Sequence, residues 1–593
     1  MLCGLTINQV TCGFDYISAI IMRQWKYVAA MLAFWLCIVL YMTMSVPSGQ
    51  ETVSKTERSL AKAMEELEKL NLQNIELKQL MSQLRESQKV NDPASDTEVQ
   101  KLKSRMEQAK NDMSQLVGLP SHFLTLEQEM ARRKAETTTK ELWYFLNSQM
   151  DKLIRMGVGE ESHVLKLKKD LEGYRRTMMD DFDALRKVNN ADQWRLAKSK
   201  ELGDLVQRRF EYLQNPTDCS AAKKIVCNLH KGCGFGCQLH HIAYCLIAAY
   251  AMERTLILES KGWRYSPKGW ETVFEPLSKT CTEDSSASRT HWGASSDMDK
   301  YDVIDLPIVD SLYPRPDFMP LAVPDDLYKE LAVFHGDPPV WWIGQIIHYL
   351  FRMKPNVLKD VVNAGKKMGF RGTVVGVHVR RTDKINLEAA YHSLDEYMIH
   401  VKEFYDQLER RQPNITRRVY LASDDSSVLP EAKSKYPEYK FIADITISQS
   451  AGLGTRYSDG SLRGVIIDLY YLARCDYLVC TFSSQVCRVA YEVMQTLHGD
   501  ASNNFRSLDD IFYYGGQDAH DVRIIEGHPS NGDGVMEIKP GDAVGIAGNH
   551  WNGYSKGVNR RTGVSGLFPT YKSKDIVKTV KMPTYPQVPW KVR

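Results

Sequence analysis

The stretch Tyr27–Val46, YVAAMLAFWLCIVLYMTMSV, runs for twenty residues without a charge. A helix of that length crosses the ~30 Å hydrocarbon core of a bilayer. No other segment constrains the chain as strongly, because everything beyond it must lie on one side of a membrane. Arg23 and Lys26 precede the run, and basic flanks favour the cytosolic side. Residues 1–26 are therefore expected as a cytosolic tail and 27–46 as a transmembrane signal anchor. The remainder is luminal or exterior, in a single-pass type II arrangement. A cleaved signal peptide is the alternative; the run is long for one, and Ser45–Pro47 is an imperfect small-residue site.

That orientation sorts the cysteines. Cys3, Cys12 and Cys37 are cytosolic or in the membrane, and nine are luminal. An oxidising compartment favours disulfides, and an odd number leaves one thiol over. Six fall between Cys219 and Cys281, and six cysteines allow about 15 pairings. The spacing Cys233-x-x-x-Cys237 also suits zinc, a weaker reading in an oxidising lumen. The sequon Asn414-Ile-Thr416 places its loop on the surface if it is used.

Residues 47–215 are expected as a coiled-coil stalk. Leu60, Ala63, Leu67, Leu70, Asn74, Leu77, Met81 and Leu84 step by three and four, with Asn74 as the one polar member. Asp92-Pro93 interrupts the seam, and a second follows at Val99, Leu102, Met106, Ala109, Met113 and Leu116. Two further helices are predicted over 122–156 and 161–213, ending at Asn215-Pro216. The plainer alternative is single, solvated helices; the regularity of the seams points instead to a homodimer through the stalk.

Beyond Cys219 short β-rich runs alternate with amphipathic stretches. Thr373–Val379 leads into Arg380-Arg381-Thr382-Asp383-Lys384, Arg418–Ala422 into Ser423-Asp424-Asp425, and Tyr477–Phe482 into Ser483-Ser484-Gln485. Each is an apolar strand of the buried parallel kind ending in a polar set. Open α/β sheets bind ligands outside the carboxyl ends of their strands. Paired arginines suit phosphate oxygens, and serines opening a helix suit an anion. A phosphorylated small molecule, such as a nucleotide-sugar in a luminal enzyme, fits these groups. No GxxxxGK[ST] is present. The glycine-rich turn Gly232-Cys233-Gly234-Phe235-Gly236-Cys237 lets a backbone approach a diphosphate, or is simply a tight disulfide-bearing turn. Asp297-Met298-Asp299 resembles a metal clip but sits in a polar loop stretch. With 76 Lys+Arg against 73 Asp+Glu the formal charge is only +3, so a nucleic-acid binder is excluded.

The segment His378-Val379-Arg380-Arg381-Thr382-Asp383-Lys384 resembles the signature of the α1,6-fucosyltransferases, which add core fucose to N-glycans in the Golgi. GCGFGCQLHH at 232–241, HGDPPVWW at 335–342, YLASDD at 420–425 and CTFSSQVCRVAYEVMQTLH at 480–498 are similar too. The resemblance runs from about Cys219 to Tyr585. It implies GDP-fucose as donor and the innermost GlcNAc of an N-glycan as acceptor. Carried over, Arg380 and Arg381 hold the diphosphate. His378, Tyr265 and Asp468 surround the guanosine, while Gly234, Gly236, Cys237 and Ser484 border the donor. Asp383, Lys384, Glu388, Tyr397, Asp424 and Asp425 join the two arginines in the catalytic set, with Glu388 as base. Lys231, Asp310 and Asp510 serve the acceptor. The family pairs Cys219 with Cys281, Cys227 with Cys245, Cys233 with Cys237 and Cys480 with Cys487, leaving Cys475. No divalent metal is expected.

The expected architecture is α/β. Residues 216–350 form the first part of the catalytic region, and 351–516 a Rossmann-like, GT-B-like donor-binding part. An SH3-like β-barrel follows at 517–578, from GDAVGIAG and GVSGLFPTYK, then a tail at 579–593. Two readings compete: a membrane-anchored scaffold without catalysis, which the three polar sets oppose, and a fucosyltransferase acting on another acceptor.

Overall fold

The computed structural model describes residues 125–590, leaving aside 189–190, 285, 287, 383–389 and 453. The candidate membrane span and both heptad seams lie outside the described residues. Among the described residues no helix is long and apolar enough to cross a membrane.

The chain enters through three helices, α1 (Leu126–Arg155), α2 (Glu161–Lys187) and α3 (Ala191–Gln214). Thr125 and Gln128 close a reciprocal capping box at the start of α1, each bond 3.2 Å, which satisfies two otherwise orphaned N–H groups. The helix predicted over 161–213 is in fact two. Val188 leaves the helical region at φ −52°, ψ 140°, next to two positions where the sequence carries asparagine, a residue type of low helix propensity.

These helices also correct the expected stalk boundary, since residues from Leu124 on belong to the same compact unit as the α/β region. Leu202, Leu205, Val206 and Phe210 of α3 are 0–1 % exposed and sit in the main core. Phe210 packs among Tyr250, Trp342 and Tyr349 with ring centroids 5.4–6.0 Å apart. Gln214 accepts a 2.8 Å bond from the Leu256 backbone N–H. On α1, Arg133 donates to the carbonyls of Ala332 and Val333 at 2.7 and 2.9 Å, closing the C-terminal turn of the helix Asp325–Phe334.

Two parallel sheets follow. The first has the order β2-β1-β4-β3, with β1 Lys224–Asn228, β2 Thr255–Glu259, β3 Arg289–His291 and β4 Val303–Asp305. After the two-residue strand β5 (Val323–Pro324), the second has the order β10-β9-β6-β7-β8, with β6 Val375–Val379, β7 Arg418–Ser423, β8 Lys440–Ile442, β9 Tyr477–Cys480 and β10 Phe505–Ser507. All pairings within both are parallel. All five residues of β6 are buried, as a strand covered by helices on both faces requires. The mixed α/β, Rossmann-like expectation holds. The three strands singled out by their polar ends are neighbours at the centre of the second sheet. Their register pairs His378 with Ala422 and Val379 with Ser423, so the polar sets emerge side by side.

Residues 521–575 form a five-stranded antiparallel sheet around Val522, Ile524, Met536, Ile538, Val544 and Phe568. Its outer strands, Ser565–Pro569 and Ser573–Asp575, do not pair with each other among the described residues, so no closed barrel is seen. The segment expected as a tail is stitched into the body. Thr579–Val580 pairs with Val323–Pro324, and Tyr585, 2 % exposed, donates to the Tyr250 carbonyl at 2.6 Å.

Among the described residues four disulfides join Cys219 to Cys281, Cys227 to Cys245, Cys233 to Cys237 and Cys480 to Cys487. Cys475 is free and buried. Asn414 lies in an exposed turn.

Replacing Phe210 by Ala removes an aromatic anchor between α3 and the body. It should cost about 3–5 kcal/mol, read as a lower midpoint in chemical denaturation.

Candidate active site

A cavity of about 370 Å³ opens between the two parallel sheets, within the size range of small-ligand sites. Residues 232–237 and Tyr265 supply one wall. His378, Arg380, Ser423 and Asp424 come from the ends of β6 and β7, and Asp468, Ser484, Gln485 and Val486 from the following helices.

Two helices present their N-termini to this space. Phe235–Ala251 follows Gly234, and Gln485–Leu497 follows Ser484; neither N-cap residue caps its helix with a side chain, and the Tyr265 hydroxyl accepts only the Phe235 N–H, at 3.0 Å. Their free N–H groups and positive dipole ends favour an anion. Gly236 is required for the close approach: a Cβ there would lie 2.9 Å from the backbone carbonyl carbon of Gln485.

Arg380 adds a cation at the same end. It is held 2.7 Å from the Asp424 carboxylate. That carboxylate also accepts the backbone N–H groups of Arg381 at 2.8 Å and Thr382 at 3.2 Å, and the Thr382 hydroxyl. One buried side chain from β7 thus folds the turn that leaves β6.

The same lining offers polar groups suited to a base edge. Burial lowers the His378 imidazole to about 4, so the ring is neutral near pH 7. Its Nδ1 is buried without a hydrogen-bond partner. Burial pushes the Asp468 carboxyl up to about 7, although the Tyr420 hydroxyl, which donates to it at 2.8 Å, opposes the shift.

Of the residues expected at the site, Gly234, Gly236, Cys237, Tyr265, His378, Arg380, Asp424, Asp468 and Ser484 line the cavity. Arg381 does not. Its guanidinium turns to Glu431 at 2.9 Å and Asp425 at 3.7 Å, and the side chain is 9 % exposed. Carboxylates on the loop and helix after β7 outbid the cavity for it. Asp425 is spent on Arg381 and on the Ser427 backbone N–H and hydroxyl, at 2.9 and 2.7 Å. Tyr397 is 1 % exposed inside the core between sheet and helix, where burial pushes its hydroxyl up. Asp383, Lys384 and Glu388 lie outside the described residues.

Lys231 and Asp310 form a 2.7 Å ion pair beside the glycine turn. Asp510 is half-buried, its carboxyl raised by burial, and a Cβ on Gly548 would come within 2.9 Å of it. None of these three lines the cavity.

Sequence reasoning missed the segment 447–465, which supplies Ile447, Ala451, Arg456, Tyr457, Ser461 and Val465. Tyr457 packs 5.1 Å from Tyr265 and is covered by Arg264 at 3.7 Å. The available signal was Ser458, which caps the helix Asp459–Leu472 through the Ser461 N–H and so marks a loop feeding a helix at the strand ends. The Asp297-Met298-Asp299 clip is absent from the cavity: Asp297 pairs with Lys300 at 2.9 Å, and Asp299 lies 3.6 Å from Arg254. Among the described residues, the cluster Cys227, His241 and Cys245 has metal-ligand proximity, but its two sulfurs form a disulfide.

A family model described as alpha-(1,6)-fucosyltransferase N- and catalytic domains matches residues 17–513. The match begins far ahead of Cys219, where the resemblance read from motifs starts. The alpha-(1,6)-fucosyltransferase of Drosophila melanogaster is 42 % identical over 587 residues, covering 91 % of this chain and 93 % of that protein. The alpha-(1,6)-fucosyltransferase of Caenorhabditis elegans is 37 % identical over 546 residues, covering 91 % of this chain and 95 % of its own. The crystal structure of fucosyltransferase NodZ from Bradyrhizobium is a remote likeness, 17 % identical, covering 45 % of this chain and 92 % of that one at a TM-score of 0.26. A cavity built for an anion at the ends of parallel strands thus sits within a chain matched along most of its length, and the protein belongs to the alpha-(1,6)-fucosyltransferase family.

Proposed function

We propose that this enzyme moves L-fucose from GDP-fucose to the 6-hydroxyl of the innermost GlcNAc of N-glycans. The observation that carries the donor assignment is the cavity's polarity. Its lining combines Arg380 and two helix N-termini with the unpartnered His378 Nδ1 and the Asp468 carboxyl. A diphosphate suits the first and a guanine edge the second.

Transfer forms a bond from the acceptor O6 to the fucose C1 and breaks the bond from C1 to the GDP β-phosphate oxygen, with inversion. The O6 proton passes to a base and negative charge builds on the departing diphosphate. Glu388 is the proposed base, with Lys384 as its charge partner and Asp383 beside them. Arg380 and the helix N-termini neutralise the leaving group. Arginine here takes the part a divalent cation plays elsewhere, and the reaction is metal-independent. Arg381 acts indirectly, by tying the turn to Glu431. Lys231, Asp310 and Asp510 receive the glycan.

The wider reading places the enzyme in the Golgi membrane, anchored by residues 27–46 with the catalytic part luminal. The seams between 60 and 116 pair two chains as a coiled coil, the two sheets act as a GT-B-like pair, and residues 517–578 are an SH3-like module.

Three outcomes are expected. Glu388→Gln should lower kcat by at least ~10²-fold while GDP binding stays unchanged; full activity would remove the base assignment. EDTA should leave turnover intact; loss restored by Mn²⁺ would overturn metal independence. GDP binding followed by calorimetry should tighten between pH 6 and pH 8, as Asp468 loses the proton it holds up to about 7 and becomes an acceptor for guanine N–H groups. The terminal phosphate of GDP also titrates near ~6. The decisive comparison is therefore Asp468→Asn, which should bind more weakly at pH 8 and lose the part of the slope that Asp468 contributes.

A further inference from the structure

Behind the cavity wall lies a buried acid–imidazole pair that touches no expected substrate atom. His240 stands on the helix Phe235–Ala251 and Glu492 on the helix Gln485–Leu497. Their side chains are 3 % and 0 % exposed. The imidazole Nε2 lies 2.9 and 2.8 Å from the two Glu492 oxygens, and Nδ1 holds the carboxamide of Gln485. The Tyr514 hydroxyl donates to the His240 carbonyl, with its ring 4.8 Å from the imidazole.

Burying a charged or polar pair costs free energy unless every member is satisfied, and pairs of this kind are better at fixing one geometry than at adding stability. What this pair fixes is specific. It joins His240, the sixth residue of one helix, to Glu492, the eighth residue of the other, and through Gln485 to the first residue of that second helix; the two helices come from different sheets. Gln485 is both the His240 partner and the first residue of its helix, and its backbone lies against Gly236.

We propose that His240 and Glu492 are a positioning pair that locks the two helix N-termini into one rigid frame, so that the anion end of the donor site is preformed rather than closed by movement of one sheet against the other. The inference rests on the reading of the cavity as the GDP site, and deepens it by naming what holds the site open in its binding geometry. Glu492→Gln keeps the volume but puts a second N–H donor opposite Nε2 for one of its two contacts. His240→Phe keeps the ring beside Tyr514 and removes both polar links.

The test has two arms on the full chain. In the unliganded wild type, amide hydrogen exchange at 238–241 and 488–491, where the intrahelical hydrogen bonds begin, should already be slow, and addition of GDP should slow it by less than threefold. Fast exchange that is suppressed only by GDP would overturn the preformed frame, whether or not the variants fold. In the second arm, folded Glu492→Gln and His240→Phe should weaken GDP binding at least tenfold and raise the donor KM in step. The acceptor KM and kcat at saturating donor should change less than threefold. Variants with a lowered Tm but wild-type GDP affinity would make the pair merely structural and sink the proposal. A wild type that is rigid yet does not bind GDP would instead remove the donor assignment and leave the frame standing.

Discussion

The Asp424 carboxylate is the interaction on which the site depends. It leaves the end of β7 and gathers the Arg380 guanidinium, the backbone N–H groups of Arg381 and Thr382, and the Thr382 hydroxyl. A carboxylate that is 6 % exposed as a residue tolerates burial only with such partners. In meeting its own needs it bends the chain after β6, sends Arg380 into the cavity and leaves Arg381 to Glu431. A substitution at Asp424 would release four groups at once, not one ion pair.

A second constraint works at longer range. The cavity lies between two sheets, and several distant parts of the chain hold the body around them. α3 inserts Phe210 into the core, α1 brings Arg133 to the carbonyl end of a core helix, and Tyr585 returns from the far end of the chain to Tyr250. The buried pair Arg195–Glu129, at 2.7 Å with both side chains nearly inaccessible, joins α3 to α1 in the same manner. From residue 126 on, the helices expected in the stalk are part of the scaffold that holds the site.

Much of this was legible beforehand for definite reasons. Three apolar runs with polar ends identified the centre of the second sheet, because strands buried on both faces cannot carry polar groups except where they emerge. The helix over 122–156 was legible from its pattern, whereas its start at the Thr125–Gln128 capping box came from the structure. The break at Val188 was not legible, because its two neighbouring asparagines occur within helices as well as between them. Nor was the docking of α3. An amphipathic helix shows the same periodicity whether its apolar stripe meets a second chain or its own core. The segment 447–465 was missed because it joins the six-residue helix Ile445–Ser450 through a loop to the first turns of Asp459–Leu472, too little regular structure for periodicity to mark.

The sequence by itself determined the class of the fold, the strand ends at which a ligand would sit, and the residue types that would meet it. Only the tertiary structure decided which of two adjacent arginines faces the cavity, and that His240 and Glu492 stand behind it as a pair. The reason is physical. Apolar periodicity and strand-end polarity are local properties of a chain, whereas the direction of a charged side chain is set by counter-charges that may be fifty or two hundred and fifty residues away, as Glu431 is from Arg381 and Glu492 from His240.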